Sequence, residues 1–268
     1  MTGHHPHHPT EIDTATPNPA RIYDYLLGGK DNYPADRKTA QAILAVAPQA
    51  RQGAAENRAF LQRAVGYLAA EAGIRQFLDI GTGLPTQGNV HQVAKQVAPD
   101  ARVAYVDNDP LVHAHASALL ADNHTTVAVL GDLRDPDAIL DHPTVRAVLD
   151  LDRPVAVLLV AVLHFLPDHD DPAGIVAKLR DAMAPGSYLV ISHATADFHP
   201  ELAAKVTKVY RQASAPLVLR SRGEIGRLFD GFDLVEPGLV QPAAWRPDGE
   251  GSGSPSAGGC YSGVGRKP

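Results

Sequence analysis

Five short apolar runs, each separated from the next by a segment of helical periodicity, are the feature that most constrains the fold of this chain. They span residues 76–80, 102–106, 126–130, 155–162 and 187–192. The intervening helical segments lie near residues 89–97, 110–121, 135–149 and 172–183. Continuous apolar strands that alternate with helices are typical of a parallel sheet covered on both faces. The pattern therefore predicts an α/β fold of the Rossmann-like type.

Two further strand candidates follow near the C-terminus, after one or two helices within roughly residues 200–229. They are FDLVEPGLV, which starts at Phe232, and CYSGVG, which starts at Cys260. The segment RPDGEGSGSPSAGG between them is rich in Pro, Gly and Ser, which predicts a hairpin-like loop. With these two the sheet has seven strands, mostly parallel with an antiparallel C-terminal strand.

The first quarter of the chain predicts only helices. Asn18 followed by Pro19 is the pattern of an N-cap and a first helical turn, and Pro34 can open a second helix. Three helices are expected, over about residues 18–28, 34–48 and 54–72. We therefore expect a helical cap or lid over residues 18–73 and a Rossmann-like domain over residues 74–268.

Residues 1–17 combine Pro, Thr and four histidines with almost no apolar side chains, so they are expected to be disordered. The histidines are His4, His5, His7 and His8. They could bind a metal adventitiously, but no acidic or cysteine ligands cluster with them, which favours a solvated tail. No metal site is expected elsewhere in the chain.

Composition narrows the possible partners. The chain has 268 residues, 44% of them hydrophobic, and a formal net charge of −6. It contains no run rich in Lys and Arg, so neither nucleic acid nor an anionic membrane is an expected partner. Cys260 is the single cysteine, and no export signal is visible, which favours a reduced, cytoplasmic protein. The longest apolar stretch, residues 155–166, is shorter than the ~20 residues that span a bilayer.

Ligands of an open α/β sheet bind beyond the carboxyl ends of the strands, and the first strand ends in DIGTGLPT. Gly81 and Gly83 allow the backbone to turn sharply and approach a ligand, with Thr82 between them. A dinucleotide fingerprint would need a third glycine where Thr86 stands. Asp79 before the glycines is instead similar to the D-x-G-x-G loop of S-adenosylmethionine enzymes. A tight turn without a ligand is the alternative.

Acidic residues also follow the second and third strands. Asp107, with Asn108 beside it, can accept both hydroxyl hydrogens of a ribose. Asp132 can read the exocyclic amine of adenine, with Leu133 against the base. Two other acids precede prolines and are expected to cap helices instead; they are Asp109 and Asp135.

Together these residues resemble the class I S-adenosylmethionine-dependent methyltransferases, from about residue 74 to the C-terminus. The segment VAVLLVAVLHFLPD is similar to the one after their fourth strand, which implies that Val160, Ala161 and His164 border the cofactor. PNPARIYDYLLGGKDNYPADR and YSGVGRKP resemble a narrower group, the actinobacterial S-adenosyl methyltransferase family, formerly a domain of unknown function. The resemblance implies S-adenosyl-L-methionine as the cofactor and methyl transfer as the activity, but it does not supply a substrate. The composition and charge favour a small-molecule acceptor, which stays unidentified.

The sequence offers two histidines as candidates for a catalytic base. His164 is a candidate general base because its unperturbed pKa is ~6.5, although it can equally be a packing residue. His193 is a weaker second choice. The chain has no N-P-P-Y or D-P-P-Y motif at the fourth strand, which disfavours methyltransferases that use one on base or amide nitrogens. A non-catalytic S-adenosylmethionine-binding regulator and an NAD-dependent oxidoreductase are the alternatives of other classes.

The stretch YDYLLGGKDNYPADR is unusually rich in functional side chains for a connection between two helices. One interpretation is a lid in which the glycines allow close approach, Lys30 or Asn32 binds the methionine carboxylate, and tyrosines line the acceptor pocket. The lid residues are Tyr23, Tyr25, Gly28, Gly29, Lys30, Asn32 and Tyr33. The alternative is a plain joint between helices, with Gly28 as a C-cap and Pro34 in a first turn.

Overall fold

The computed structural model describes residues 12–85, 88–119, 124–247 and 258–268. Its centre is one seven-stranded sheet, so the predicted Rossmann-like architecture is confirmed. The strands are β1 (Gln76–Ile80), β2 (Arg102–Asp107), β3 (Thr126–Leu130), β4 (Ala156–Val160), β5 (Tyr188–Ala194), β6 (Asp233–Leu234) and β7 (Cys260–Arg266). The four tail histidines and most of the predicted hairpin-like loop lie outside the described residues.

The strand order is β3-β2-β1-β4-β5-β7-β6. All pairs from β3 to β5 are parallel, whereas β7 runs antiparallel to both β5 and β6. The chain builds outward from β1 through β2 to β3, then crosses back to place β4 on the other side of β1. A reversal of this kind opens a crevice at the carboxyl ends of β1 and β4, where α/β proteins bind ligands.

Helices cover both faces of the sheet, which is why its central strands are apolar on both sides. All five residues of β1 are buried. The helices that follow β1 in the chain are α4 (Val90–Val97), α5 (Pro110–Leu119), α6 (Pro136–Leu140), α7 (Pro143–Val148), α8 (Pro172–Ala182), α9 (Pro200–Tyr210) and α10 (Arg222–Arg227). None of the helices in the described ranges is both long and apolar enough to cross a membrane.

Three helices precede the sheet, as the sequence predicts. They are α1 (Pro19–Leu26), α2 (Pro34–Val46) and α3 (Ala50–Ala70). Asn18 caps α1 by accepting a hydrogen bond from the Ala20 N–H at 2.8 Å. α3 packs on one face of the sheet, where Phe60 meets Trp245 edge to face with ring centroids 5.5 Å apart. Both rings are fully buried, so this contact anchors α3 to the segment between β6 and β7.

The structure corrects two of the predicted elements. The single helix expected over residues 135–149 is divided into α6 and α7, because Pro143 lacks an N–H and forces His142 out of the helical conformation. The strand expected in FDLVEPGLV is reduced to β6, since Pro237 and Gly238 interrupt it. Val240 then returns to the sheet through an isolated bridge to Ser262.

A buried ion pair ties the N-terminal helices to the sheet. Arg21 of α1 is 3% exposed, and its Nε donates to Asp109 Oδ2 at 2.8 Å, just beyond the end of β2. Its Nη1 lies 3.9 Å from Asp36 Oδ2 of α2. Asp36 also accepts the Asn18 and Tyr33 N–H groups, both at 2.8 Å. One guanidinium thus connects α1, α2 and the edge of the sheet where ligands bind.

We expect Arg21→Met to lower the free energy of unfolding by about 3–5 kcal/mol, because it leaves buried carboxylates without their cation. Arg146→Met is the matched control, since Arg146 pairs with Asp141 at 3.2 Å on the surface and such pairs contribute at most about 1 kcal/mol. Urea denaturation of both variants measures the difference. Equal stability of the two variants would contradict a structural role for the buried pair.

Candidate functional site

A cavity of about 760 Å³ lies at the carboxyl ends of β1 to β4, between those strand ends and helices α1, α2, α3 and α9. This volume is within the roughly 300–1,000 Å³ of small-molecule sites. Every residue that the sequence assigned to cofactor binding lines it. These are Asp79, Gly81, Thr82, Gly83, Asp107, Asn108, Asp132, Leu133, Val160 and Ala161. Residues far apart in the sequence therefore meet in one site because parallel strands end at one edge of the sheet.

The turn after β1 needs glycine at both positions. Gly81 has φ +74° and Gly83 has φ +66°, which side chains rarely adopt. A Cβ on Gly81 would collide with Val162, whereas a Cβ on Gly83 would meet no atom within 4 Å. Thr82 Oγ1 donates to Asp79 Oδ2 at 2.9 Å and orients that carboxylate. The loop thus presents open space at Gly83 beside a fixed acid.

Asp107 at the end of β2 joins the first two strand exits. Its Oδ2 accepts the Gly83 N–H at 2.8 Å, and its Oδ1 accepts the Asp109 N–H at 2.9 Å. Burial raises the pKa of Asp107 to about 6, against the effect of those two hydrogen bonds. Burial likewise raises the pKa of Asp79 to about 6. Both carboxyls therefore take up a proton more readily than in water, because burial disfavours their charged form.

The third strand exit carries a charge pair that the sequence analysis did not identify. Arg134 Nε donates to Asp132 Oδ1 at 2.9 Å, and Asn108 Nδ2 lies 3.4 Å from Asp132 Oδ2. Burial opposes ionisation of Asp132, but the hydrogen bonds and charge of Arg134 outweigh it and lower the pKa of Asp132. Asp109 and Asp135 accept the helical N–H groups of Leu111 and Ala138, so both capping predictions are confirmed.

His164 lines the cavity, but its ring is committed to the protein. Burial, followed by the charges of His193 and Arg220, lowers its pKa well below the usual value, so the ring is neutral. Nδ1 accepts the Ala194 N–H at 3.2 Å, which assigns the proton to Nε2. The neutral ring then has no free lone pair, and the contacts favour the packing role over the general base.

Both ring nitrogens of His193 are also hydrogen-bonded, but here Nδ1 is the donor and Nε2 the acceptor. Its Nδ1 donates to the Ala194 carbonyl oxygen at 2.8 Å, and its Nε2 accepts from Arg220 Nη1 at 3.0 Å. Burial lowers its pKa to about 4. The Arg220 guanidinium also donates to the Leu163 and Leu166 carbonyl oxygens, at 3.2 and 3.0 Å, and so holds the turn that carries His164. Both rings therefore serve the architecture after β4.

On the side of the helices, the cavity is lined by apolar residues, and we call this part of the cavity the apolar chamber. Its residues pack in one cluster and also line the cavity: Leu26, Ile43, Ala54, Val206, Tyr210 and Leu217. They come from α1, α2, α3, α9 and the segment that follows α9. The cavity therefore has a polar half at the strand exits and an apolar half under the helices.

Sequence reasoning missed two polar residues of α3 that line the cavity, Asn57 and Arg58. Arg58 Nη2 donates to Asn89 Oδ1 at 2.8 Å, and its guanidinium is close enough to Asp79 to lower the pKa of that carboxyl. Asn57 Nδ2 donates to Tyr23 Oη at 3.0 Å. Their only sequence signal is a polar pair on a helical face that otherwise carries Phe60, Leu61 and similar side chains.

Among the seven residues assigned to a lid, Tyr23 lines the cavity and the other six do not. Asn32 is buried and donates to Asp24 Oδ2 at 2.7 Å, and a Cβ on Gly29 would collide with the same carboxylate. Lys30 is exposed. The others also have local roles: Tyr25 stacks on Arg51, Gly28 has φ +84°, and Tyr33 precedes α2. These contacts are those of the helix joint, with Tyr23 as its contribution to the site.

Comparison with known proteins adds independent evidence. The family model described as S-adenosyl methyltransferase matches residues 5–268. A DUF574 family protein from Streptomyces avermitilis is 45% identical, with a TM-score of 0.91 over 96% of this chain and 100% of the other. A proposed methyltransferase from Thermobifida fusca is also 45% identical, with a TM-score of 0.90 over 95% and 96%. A search of curated proteins found no match.

A more distant likeness concerns the fold alone. An O-methyltransferase family protein from Burkholderia thailandensis is 15% identical, with a TM-score of 0.52 over 83% of this chain and 61% of the other. The nearly full-length family match confirms the resemblance seen in the sequence, and S-adenosyl-L-methionine is the cofactor. This chain belongs to the S-adenosyl methyltransferase family.

Proposed function

We propose that this protein transfers a methyl group from S-adenosylmethionine to a small-molecule acceptor. The observation that carries the proposal is the continuity of the cavity, in which acidic strand exits open directly into the apolar chamber. A protein that only bound the cofactor would have no use for a second, differently lined compartment beside it. The same argument disfavours the purely regulatory alternative.

The strand exits suit the cofactor chemically. We propose that Asp107 accepts hydrogen bonds from the ribose diol and that Asp132, with Leu133, contacts the adenine. The open space at Gly83 admits a ligand against the backbone. The raised pKa values of Asp79 and Asp107 fit as well, because a ligand with a sulfonium and an ammonium group supplies positive charge that would stabilise the buried carboxylates.

We assign the methionine carboxylate to Arg58. Its Nε is buried and has no hydrogen-bond partner among the described residues, although Nη2 is bound to Asn89. An unsatisfied guanidinium nitrogen in a cavity is suited to a carboxylate ligand. This assignment takes the place of Lys30 and Asn32, which the fold holds outside the cavity.

Bound S-adenosylmethionine would supply an electrophilic methyl group on its sulfonium sulfur. When a nucleophile takes this methyl group, the bond from sulfur to the methyl carbon breaks and S-adenosylhomocysteine is the leaving group. The chain's own part is to hold the acceptor in line with that methyl and to exclude water. Because neither His164 nor His193 has a free lone pair, we propose that positioning rather than proton abstraction by these rings dominates the catalysis. Val160 and Ala161 line the same cavity.

Formation of S-adenosylhomocysteine tests the proposal directly. We expect the full chain to produce it from S-adenosylmethionine when supplied with the small-molecule fraction of an actinobacterial cell extract, measured by mass spectrometry. The control is the Asp107→Ala variant, which should form less of the product at a limiting cofactor concentration. Tight cofactor binding with no product from any fraction would support the regulatory alternative instead.

Asp107→Ala should weaken S-adenosylmethionine binding by roughly 10- to 100-fold, as expected for the loss of hydrogen bonds to a charged group. Asp135→Ala is the matched control, because Asp135 follows β3 near the same edge of the sheet but caps α6 and does not line the cavity. Titration calorimetry measures both affinities. Equal loss in the two variants would contradict the ribose assignment.

Cofactor affinity should also fall in acid. Asp79 and Asp107 have pKa values of about 6, so both take up protons below that pH and no longer attract a cationic ligand. We expect affinity near pH 5 to be lower than near pH 8 by about tenfold or more, since one group is about 90% protonated one unit below its pKa. Asp79→Asn should bind more weakly at neutral pH and show a flatter profile. A constant affinity across this range in the unmodified protein would contradict the role of these carboxylates.

A further inference from the structure

The apolar chamber has the walls of a site for a nonpolar molecule. Leu26 of α1, Ile43 of α2 and Ala54 of α3 pack together with Val206 and Tyr210 of α9, and each of them also lines the cavity. Small-molecule sites of this composition bind mainly through apolar contact, and a few polar groups fix the ligand's orientation. The identity of those polar groups therefore decides which molecules the chamber accepts.

The polar groups near the chamber are almost all neutral. Among the cavity-lining residues of α1, α2, α3 and α9, helices that the structure describes completely, Arg58 alone is charged. Burial raises the pKa of the Tyr23 hydroxyl to about 12 and that of the Cys260 thiol to about 12, so both stay protonated at neutral pH. A charged group held against these four helices would find no countercharge on them except Arg58, and burial of an unpaired charge is strongly unfavourable.

Asn57 carries a buried acceptor that the described part of the chain does not satisfy. The residue is 4% exposed, and its Nδ2 donates to Tyr23 Oη at 3.0 Å. The Tyr23 hydroxyl in turn donates to the Ala54 carbonyl oxygen at 3.0 Å, which makes Oη the acceptor and fixes the orientation of the Asn57 amide. Asn57 Oδ1 is then left without a partner. Buried polar atoms in this state are rare in native proteins.

Asn57 is also located where the two halves of the cavity meet. It lines the cavity, and the next residue, Arg58, acts electrostatically on Asp79 at the β1 exit. Its partner Tyr23 packs with the residues of the apolar chamber. A ligand that fills the chamber and extends to the strand exits therefore passes the Asn57 side chain.

Resting on the proposed methyl transfer, we infer that Asn57 selects the acceptor, its Oδ1 accepting a hydrogen bond from an O–H or N–H of a neutral, largely apolar molecule. The rest of that molecule fills the apolar chamber. An analogue without the donor leaves Oδ1 unsatisfied, and sites built around a hydrogen bond discriminate strongly on this basis. Apart from Arg58, the four helices offer an anion or an ammonium group no countercharge, which disfavours charged acceptors in the apolar chamber.

Three naphthalene derivatives of similar shape test this inference by titration calorimetry with the full chain saturated with S-adenosylhomocysteine. Naphthol is neutral and carries a donor, its methyl ether lacks the donor, and naphthoate is an anion. We expect naphthol to bind about threefold to tenfold more tightly than the ether, the equivalent of one neutral hydrogen bond, and more tightly than naphthoate.

Two variants complete the experiment. Asn57→Leu removes Oδ1 at similar size, so the preference for naphthol should vanish while the melting temperature stays equal or rises, because a buried unsatisfied acceptor has been removed. Thr207→Val is the matched control: Thr207 Oγ1 is also buried and unpartnered among the described residues, but Thr207 does not line the cavity. The preference should persist in that variant.

Binding of S-adenosylhomocysteine, measured first in the same samples, separates the two possible failures. If it does not bind, the proposed function itself fails. If it binds and the unmodified protein shows equal affinity for naphthol and its ether, the role of Asn57 is overturned. Tighter binding of naphthoate would overturn it in favour of acid recognition by Arg58. A preference that persists in Asn57→Leu would overturn it too, since another group or a water would then satisfy the donor.

Discussion

The buried ion pair between Arg21 and Asp109 joins the N-terminal helices to the edge of the sheet that forms the site. The Arg21 guanidinium binds Asp109 just after β2 and lies near Asp36, so α1 and α2 are held over the edge of the sheet where the strands end. Asp109 also donates its N–H to Asp107, which accepts the Gly83 N–H in turn. A single hydrogen-bonded path therefore runs from the N-terminal helices to the loops after β1 and β2. Arg21, Asp109 and Asp107 thus hold together the helices on one side of the cavity and the strand ends on the other.

That arrangement divides the cavity into halves with different electrostatics. At the strand exits, burial raises the pKa values of Asp79 and Asp107, whereas the hydrogen bonds and charge of Arg134 lower the pKa of Asp132. Under the helices the walls are apolar and the ionisable hydroxyl of Tyr23 stays neutral. A cationic cofactor and a neutral acceptor would each find the environment that stabilises it. Arg58 and Asn57, side by side on α3, lie between the two halves.

The sheet and its strand-exit residues could be predicted because they depend on local patterns. Each apolar run predicts a buried strand. In a parallel sheet the residue that follows the strand then lies at the carboxyl edge, where ligands bind. The opening stretch shows where this reasoning stops. Asn32 looked available for a ligand, yet its amide is bound to Asp24, a partner whose burial depends on how α1 and α2 cross. His164 likewise faces the cavity, but its lone pair is taken by a backbone N–H of β5.

Local sequence patterns were enough to predict the fold class, the family and the residues that line the polar half of the cavity, since strand periodicity, glycine turns and capping prolines act over a few residues. Only the tertiary structure decided which polar groups are satisfied and which are not. Among the described residues, Arg58 Nε and Asn57 Oδ1 have no hydrogen-bond partner while both histidines have theirs, and this depends on contacts between segments distant in the chain. Hydrogen bonding requires donor and acceptor within about 3 Å, and packing alone sets distances on that scale.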